Sequence, residues 1–214
     1  MSESVKKTQG MILWLVAAWL IASIIFSLLG LFDQPNAPPT YFGLFLVGPL
    51  LVFFAAYTLS KRVREALFAL PLWAITAIHS LRFFAGIAFV IDALIHELPP
   101  QFGWPAGVGD IISAIVSIPL AILLYQKRYS KGMRAGFIAW NIFGLIDLFS
   151  AITLGLLYSV SVVGILSEPA LNTRSLSFLP TSLIPTFYVP ILILLHFLAL
   201  RRSGEIATSH QLLV

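Results

Sequence analysis

The sequence predicts an all-α polytopic membrane bundle of six transmembrane helices with both termini cytoplasmic, and three observations carry that expectation. Hydrophobic residues make up 59% of the chain and charged residues 10%, with a mean hydropathy of +0.96, which soluble domains do not reach. The apolar residues fall in runs of about twenty, the length a helix needs to cross a roughly 30 Å hydrocarbon core, and the alternating ten-residue strands of a barrel are absent. Basic residues cluster at the ends of these runs on alternate connections, so they read as topology signals and not as a nucleic-acid surface.

The first span is expected over Met11–Phe32, after Lys6 and Lys7 and a short N-terminus of residues 1–10. It is longer than a signal-peptide core and lacks a small-residue cleavage site, so it reads as a retained span. The linker 33–40, rich in turn formers and free of Lys and Arg, makes an outside hairpin to a second span over Tyr41–Leu59. The cluster Lys61-Arg62-Val63-Arg64 returns the chain to the inside, and residues 65–70 are expected as a short interfacial turn. A third span of about 28 residues, Pro71–Leu98, exceeds the membrane thickness and should project at its outer end, carrying His96 and Glu97. Residues 99–109, with three prolines and three glycines, read as a rigid connection folded over the bundle mouth. The fourth span, Val108–Tyr125, ends at the second inside cluster, Lys127 to Arg134, and the fifth covers Ala135–Tyr158. A long connection of residues 159–180 leads to the sixth span, Thr181–Leu200, which ends at Arg201-Arg202. Residues 11–202 thus form the membrane domain and residues 203–214 a cytoplasmic tail. Of the thirteen Lys and Arg, all but Arg174 outside and Arg82 within the membrane then lie inside. That bias points to the cytoplasmic (inner) membrane, crossed many times. Prolines fall mid-span in the second, fourth and sixth helices, where each is expected to kink or unwind the chain locally.

Charge inside these runs is the functional signal. A central Arg costs about 2.5–3.5 kcal/mol to insert, so Arg82 requires a partner. Asp147, at matching depth on the fifth span, is the expected one. On an ideal helix Arg82, Asp92 and His96 fall within an arc of about 80°, with His79 and Glu97 about 60° beyond, so one face of the third span is polar and must line the interior. Asp92 and His96 stand i,i+4, the spacing that lets two side chains share a proton or a cation, with Asp110 across the loop either joining them or capping the fourth span. The run His96-Glu97-Leu-Pro-Pro lacks the second His of a zinc-protease helix. Toward the inner leaflet, His79, Asn141 and His196 lie on three different spans. Two such histidines are candidates for the axial ligands of a b-type haem, or for helix-tying hydrogen bonds. The absence of cysteine removes disulfides, thiolate metal sites and cysteine nucleophiles.

Three motifs, Ser80-Leu-Arg82-Phe, Trp140-Asn141-Ile-Phe-Gly144-Leu-Ile-Asp147 and Ser182-Leu-Ile-Pro185-Thr-Phe-Tyr-Val-Pro190 followed by His196, resemble an uncharacterised family of small bacterial polytopic membrane proteins over residues 71–202. The resemblance implies weight for these positions and no activity. The chain departs from it at Gly86, where a carboxylate is expected four residues after the arginine, and in the glycine-rich stretch before Asp110.

The sequence therefore predicts an interior polar path that binds or moves a small solute or protons. Arg82 and Asp147 stand at its midplane, Asn141 beneath them, and Asp92, His96 and Asp110 at its outer mouth. Two other classes stand beside it: an intramembrane enzyme or haem protein using His79 and His196 or a divalent metal at the outer His–Asp set, and an accessory subunit whose charges only organise packing. The lipid bilayer is the one partner all three share.

Overall fold

The computed structural model describes residues 2–206; of the tail, residues 207–214 lie outside that range. Within it the chain is all-α, and six helices are long and apolar enough to cross a membrane. Helix α1 (Glu3–Leu28) starts earlier than hydropathy suggests, because the Ser2 hydroxyl accepts from the Val5 amide and Glu3 sits in the first turn, where the helix dipole favours an anion. After the linker, α2 (Thr40–Leu59) carries Pro49 without breaking, and its last carbonyls are covered by Arg64, whose Nη1 donates to the Tyr57 and Thr58 oxygens at 2.8 and 2.9 Å. The expected interfacial turn is a short amphipathic helix, α3 (Lys61–Phe68), capped by Ser60 and burying Ala66 and Leu67.

The third crossing is broken. It consists of α4 (Leu72–Ile78), one 3₁₀ turn at His79–Leu81, and α5 (Arg82–Leu94). It ends four residues earlier than expected. His96 takes a positive φ of 62°, and the Glu97 and Leu98 amides both fold back onto the Asp92 carbonyl, at 2.8 and 3.1 Å. Asp92 and His96 consequently share no helical face. His96 and Glu97 are exposed at the turn, as the projecting end predicted.

The largest correction concerns residues 99–109. They are no loop: α6 runs from Pro100 to Tyr125, with Pro100 at its first position. Pro at N1 lacks only an N–H that has no helical partner there. The glycines that suggested a loop are contact points between helices. A Cβ on Gly107 would lie 2.7 Å from the Gly86 carbonyl, and one on Gly103 would lie 2.6 Å from Ala93 Cβ and 2.8 Å from the Phe89 carbonyl. Gly103 and Gly107 form a small-xxx-small pair, the pattern by which membrane helices bring backbones together. Gly86, where the resemblance led us to expect a carboxylate, is the matching surface on α5.

Half of the apolar window of α6 is buried within the bundle, against 11% for α1, so α6 is the central helix and α1 a peripheral one, exposing Leu13 and Trp14. Helix α7 (Lys131–Leu157), capped by the Ser130 hydroxyl, packs beside it. The connection that follows includes a 3₁₀ turn at Arg174–Ser177. The sixth crossing opens as a π turn, Ile184–Tyr188, and continues as α8 (Val189–Arg202). Pro190 cannot donate and crowds the carbonyl four residues back, which favours widening over a tight α turn. Of the three proline-bearing spans, only this one departs from α geometry at its prolines.

Candidate functional site

Arg82 is fully buried, as are His79, Asn141 and His196, all with no solvent exposure. In hydrocarbon every polar atom of such a group needs a partner. The Arg82 guanidinium meets three. Its Nε donates to Asp110 Oδ1 at 2.6 Å, its Nη2 to Asp147 Oδ2, and its Nη1 faces His196 Nε2 at 3.3 Å. The predicted Arg82–Asp147 pair is present, with Asp110 as a second carboxylate that the sequence placed elsewhere. Asp110 sits a full ten residues into α6 and caps nothing.

The hydrogen-bond network assigns the histidine tautomer. Asn141 Nδ2 donates to the Phe137 carbonyl at 2.8 Å, which leaves Oδ1 to accept from His196 Nδ1 at 2.9 Å. The proton of His196 therefore sits on Nδ1, and Nε2 offers a lone pair to Arg82. A protonated ring would set N–H against N–H. Helices α5, α6, α7 and α8 are thus joined through one guanidinium and a neutral imidazole.

Two glycines make room for this. A Cβ on Gly144 would overlap the His196 ring and come within 3.2 Å of Arg82 Nη1, and one on Gly109 would overlap the Asp147 carboxylate. Neither was singled out from sequence, although the resemblance motif includes Gly144. His79 lies below, its ring centroid 4.0 Å from that of His196 and edge-on to Trp140 at 5.1 Å. Neither of its nitrogens has a hydrogen-bond partner. The haem expectation fails on this geometry. Axial imidazoles stand on opposite faces of the macrocycle with metal–nitrogen bonds of about 2 Å each, so their rings lie well over 4 Å apart. Here the rings touch. Nor do Asp92 and His96 form a metal pair, since α5 ends between them; among the described residues no group of three His, Asp or Glu is placed to hold a metal ion.

Above the network lies a cleft with a volume of about 90 Å³. Its walls are apolar, from Phe89, Phe102, Leu148, Ile152 and Val189, and its floor includes Asp110. At its mouth stand Gln34, Ser159, Ser161, Thr173 and Arg174, from the two connections that follow α1 and α7. Asp92 and His96 line neither the cleft nor the network. Arg174 is held across the mouth by Asp33, donating from Nε and Nη2 at 2.9 and 2.6 Å. That hydrogen bonding, and the carboxylate charge beside it, hold the Arg174 guanidinium above its ordinary value.

With this geometry in view, the chain matches over residues 39–202 the family described as a domain of unknown function, DUF8737. The chain belongs to that family. The matched region begins just before α2 and contains every member of the network, whereas α1 lies outside it. No curated protein and no solved structure matches this DUF8737 chain.

Proposed function

We propose that this membrane protein binds a small solute within the bilayer, in the cleft above Asp110, and that the Arg82 network is the charged floor of that site. The observation that carries this reading is the double position of Asp110, which is ion-paired to Arg82 and also forms part of the cleft wall. A charge network built only to tie helices together has no need of a carboxylate open to a cavity that leads to the loop end. Local departures from α geometry at His79–Leu81 and Ile184–Tyr188 flank the site, and such departures in membrane helices occur where backbone lines a cavity. The positive-inside distribution supports a loop end on the outer face of the cytoplasmic membrane, which on this reading is the side the solute enters from.

The natural absence of cysteine makes the test direct. Single replacements Ser161→Cys at the mouth, Ile152→Cys in the wall and Lys127→Cys at the opposite end of the bundle are treated with a membrane-impermeant thiol reagent in intact cells. We expect labelling at Ser161 and, more slowly, at Ile152, with Lys127 protected until the cells are opened. Labelling of Lys127→Cys in intact cells with Ser161→Cys silent would invert the orientation. An Ile152→Cys that never reacts would remove the cleft as a binding site.

A further inference from the structure

Two buried carboxylates share one buried guanidinium. His196 is neutral by its hydrogen bonds, and His79 accepts no proton from any neighbour. The floor of the cleft therefore carries one negative charge in excess, in a setting where an uncompensated charge costs several kcal/mol. We propose that the missing partner is an exchangeable monocation: a proton when the cleft is empty, and a small primary ammonium ion with an apolar tail when it is filled. This rests on the cleft being the binding site.

Three features fix the chemical class. The two carboxylates are not equivalent. Asp147 is packed against the Gly109 backbone and does not line the cleft, whereas Asp110 does, and its Oδ2 accepts no hydrogen bond among the described residues. An incoming cation meets Asp110. The walls offer hydrocarbon and the rings of Phe89 and Phe102, so the rest of the ligand must be apolar, and an aromatic face also attracts ammonium. Mg²⁺ or Ca²⁺ takes six or more oxygen ligands and finds one carboxylate here, and no third His, Asp or Glu is placed to complete a four-coordinate site among the described residues. Finally, the volume suits a molecule of a few carbon atoms, since a cavity of roughly 150 Å³ accommodates benzene. The charged and titratable groups around Asp110 are Arg82 from α5, Asp147 from α7, His196 from α8, Tyr188 from the π turn, whose buried hydroxyl has no partner, and Arg174 at the mouth, already held by Asp33. None supplies the missing positive charge. Binding then follows a balanced exchange: R–NH₃⁺ enters, the proton on the Asp110/Asp147 pair leaves to solvent, and the site's net charge is unchanged.

The full chain is purified in detergent as Ile152→Cys, and protection from a neutral thiol reagent is measured with n-butylammonium, n-butanol and butyrate, alongside proton release in weakly buffered solution. We expect butylammonium to protect at a concentration at least ten-fold lower than butanol, with butyrate inert and about one proton released per bound ammonium. Asp110→Asn should abolish proton release and the ten-fold preference while leaving butanol protection in place. Asp147→Asn, which removes the same charge from a residue outside the cleft, should also abolish proton release. Ala151→Phe, which fills the cleft without altering a network residue, should abolish all protection. Equal protection by butanol with no proton release overturns the cation and leaves the cleft reading standing. Proton uptake and release that butylammonium does not affect overturns the ammonium ion and leaves a proton site alone. An Ile152→Cys that no reagent reaches overturns both.

Discussion

Arg82 and Arg174 make the same chemical contact under opposite conditions. Each donates from two nitrogens to carboxylate oxygen, with distances that include the same 2.6 Å. Arg174 does so at the loop end with its side chain 53% exposed, Arg82 with none. In water the attraction of two unit charges 4 Å apart is about 1 kcal/mol, and salt screens it; in a poorly solvated interior it is several-fold larger, but so is the cost of bringing either charge there alone. The surface pair is a clasp that the bundle can lose. The buried arginine is a condition for either of its carboxylates to exist as a charge at all.

The largest expected effect follows from the charge count at Arg82. Arg82→Gln leaves two carboxylates without their cation, and we expect a loss of about 3–5 kcal/mol in detergent unfolding. Asp110→Asn or Asp147→Asn leaves one arginine with one carboxylate, a neutral pair, and should cost less than half as much. Combining Arg82→Gln with either should recover stability relative to Arg82→Gln alone. Equal losses for the arginine and either aspartate would mean that the site carries no excess negative charge.

A smaller effect is expected at the glycines, and it separates packing from charge. Gly144→Ala pushes a methyl group into the His196 ring and should cost about 1–3 kcal/mol, the usual range for overpacking. Gly132→Ala on the same helix meets nothing within 4 Å and should be neutral or slightly stabilising through helix propensity. Similar melting temperatures for the two variants would show that His196 is free to move aside.

The smallest effect belongs to the clasp. Arg174→Ala should leave the melting temperature unchanged while speeding modification of Ser161→Cys at the mouth. Its contribution is flat across the physiological pH range: the Arg174 value is raised in the folded chain, so the contribution is complete below the ordinary guanidinium value and is lost only as pH rises past the folded one. Added salt should weaken the clasp and leave the Arg82 network untouched. A salt-dependent melt in wild type that disappears in Arg174→Ala would make the clasp structural after all.

The crossings were legible because each is a run of hydrocarbon closed by polar residues, and the Arg82–Asp147 pair because a lone charge at that depth is prohibitive. Asp110 was misplaced for an equally physical reason. Prolines and glycines mark turns in water, where a helix gains little from a bare backbone; between membrane helices the same glycines bring backbones within reach, and Pro100 starts a helix. The spacing of Gly103 and Gly107 held that signal, and reading it would have extended α6 backward and put Asp110 opposite Arg82. Counting residues inward from Arg201 on an ideal helix puts His196 shallower than His79, yet their rings touch, because α8 continues to Arg202 and the 3₁₀ turn displaces His79 from its ideal-helix position. The polar outer face expected from Asp92 and His96 depended on a helix that stops at Leu94. Nothing in a local pattern marks that stop before Pro99.

The widened turn at Ile184–Tyr188 has a consequence for the length of the chain itself. A π turn is an α-helix that has taken in one surplus residue, and an α residue spans about 100° of rotation and 1.5 Å of rise. Two chain lengths therefore fit the same bundle. A protein one residue shorter within this turn would run as plain α-helix and still present His196 to Arg82. The same omission anywhere between Pro190 and His196 would turn the imidazole a quarter-circle away and bring Phe197 to a guanidinium that needs an acceptor.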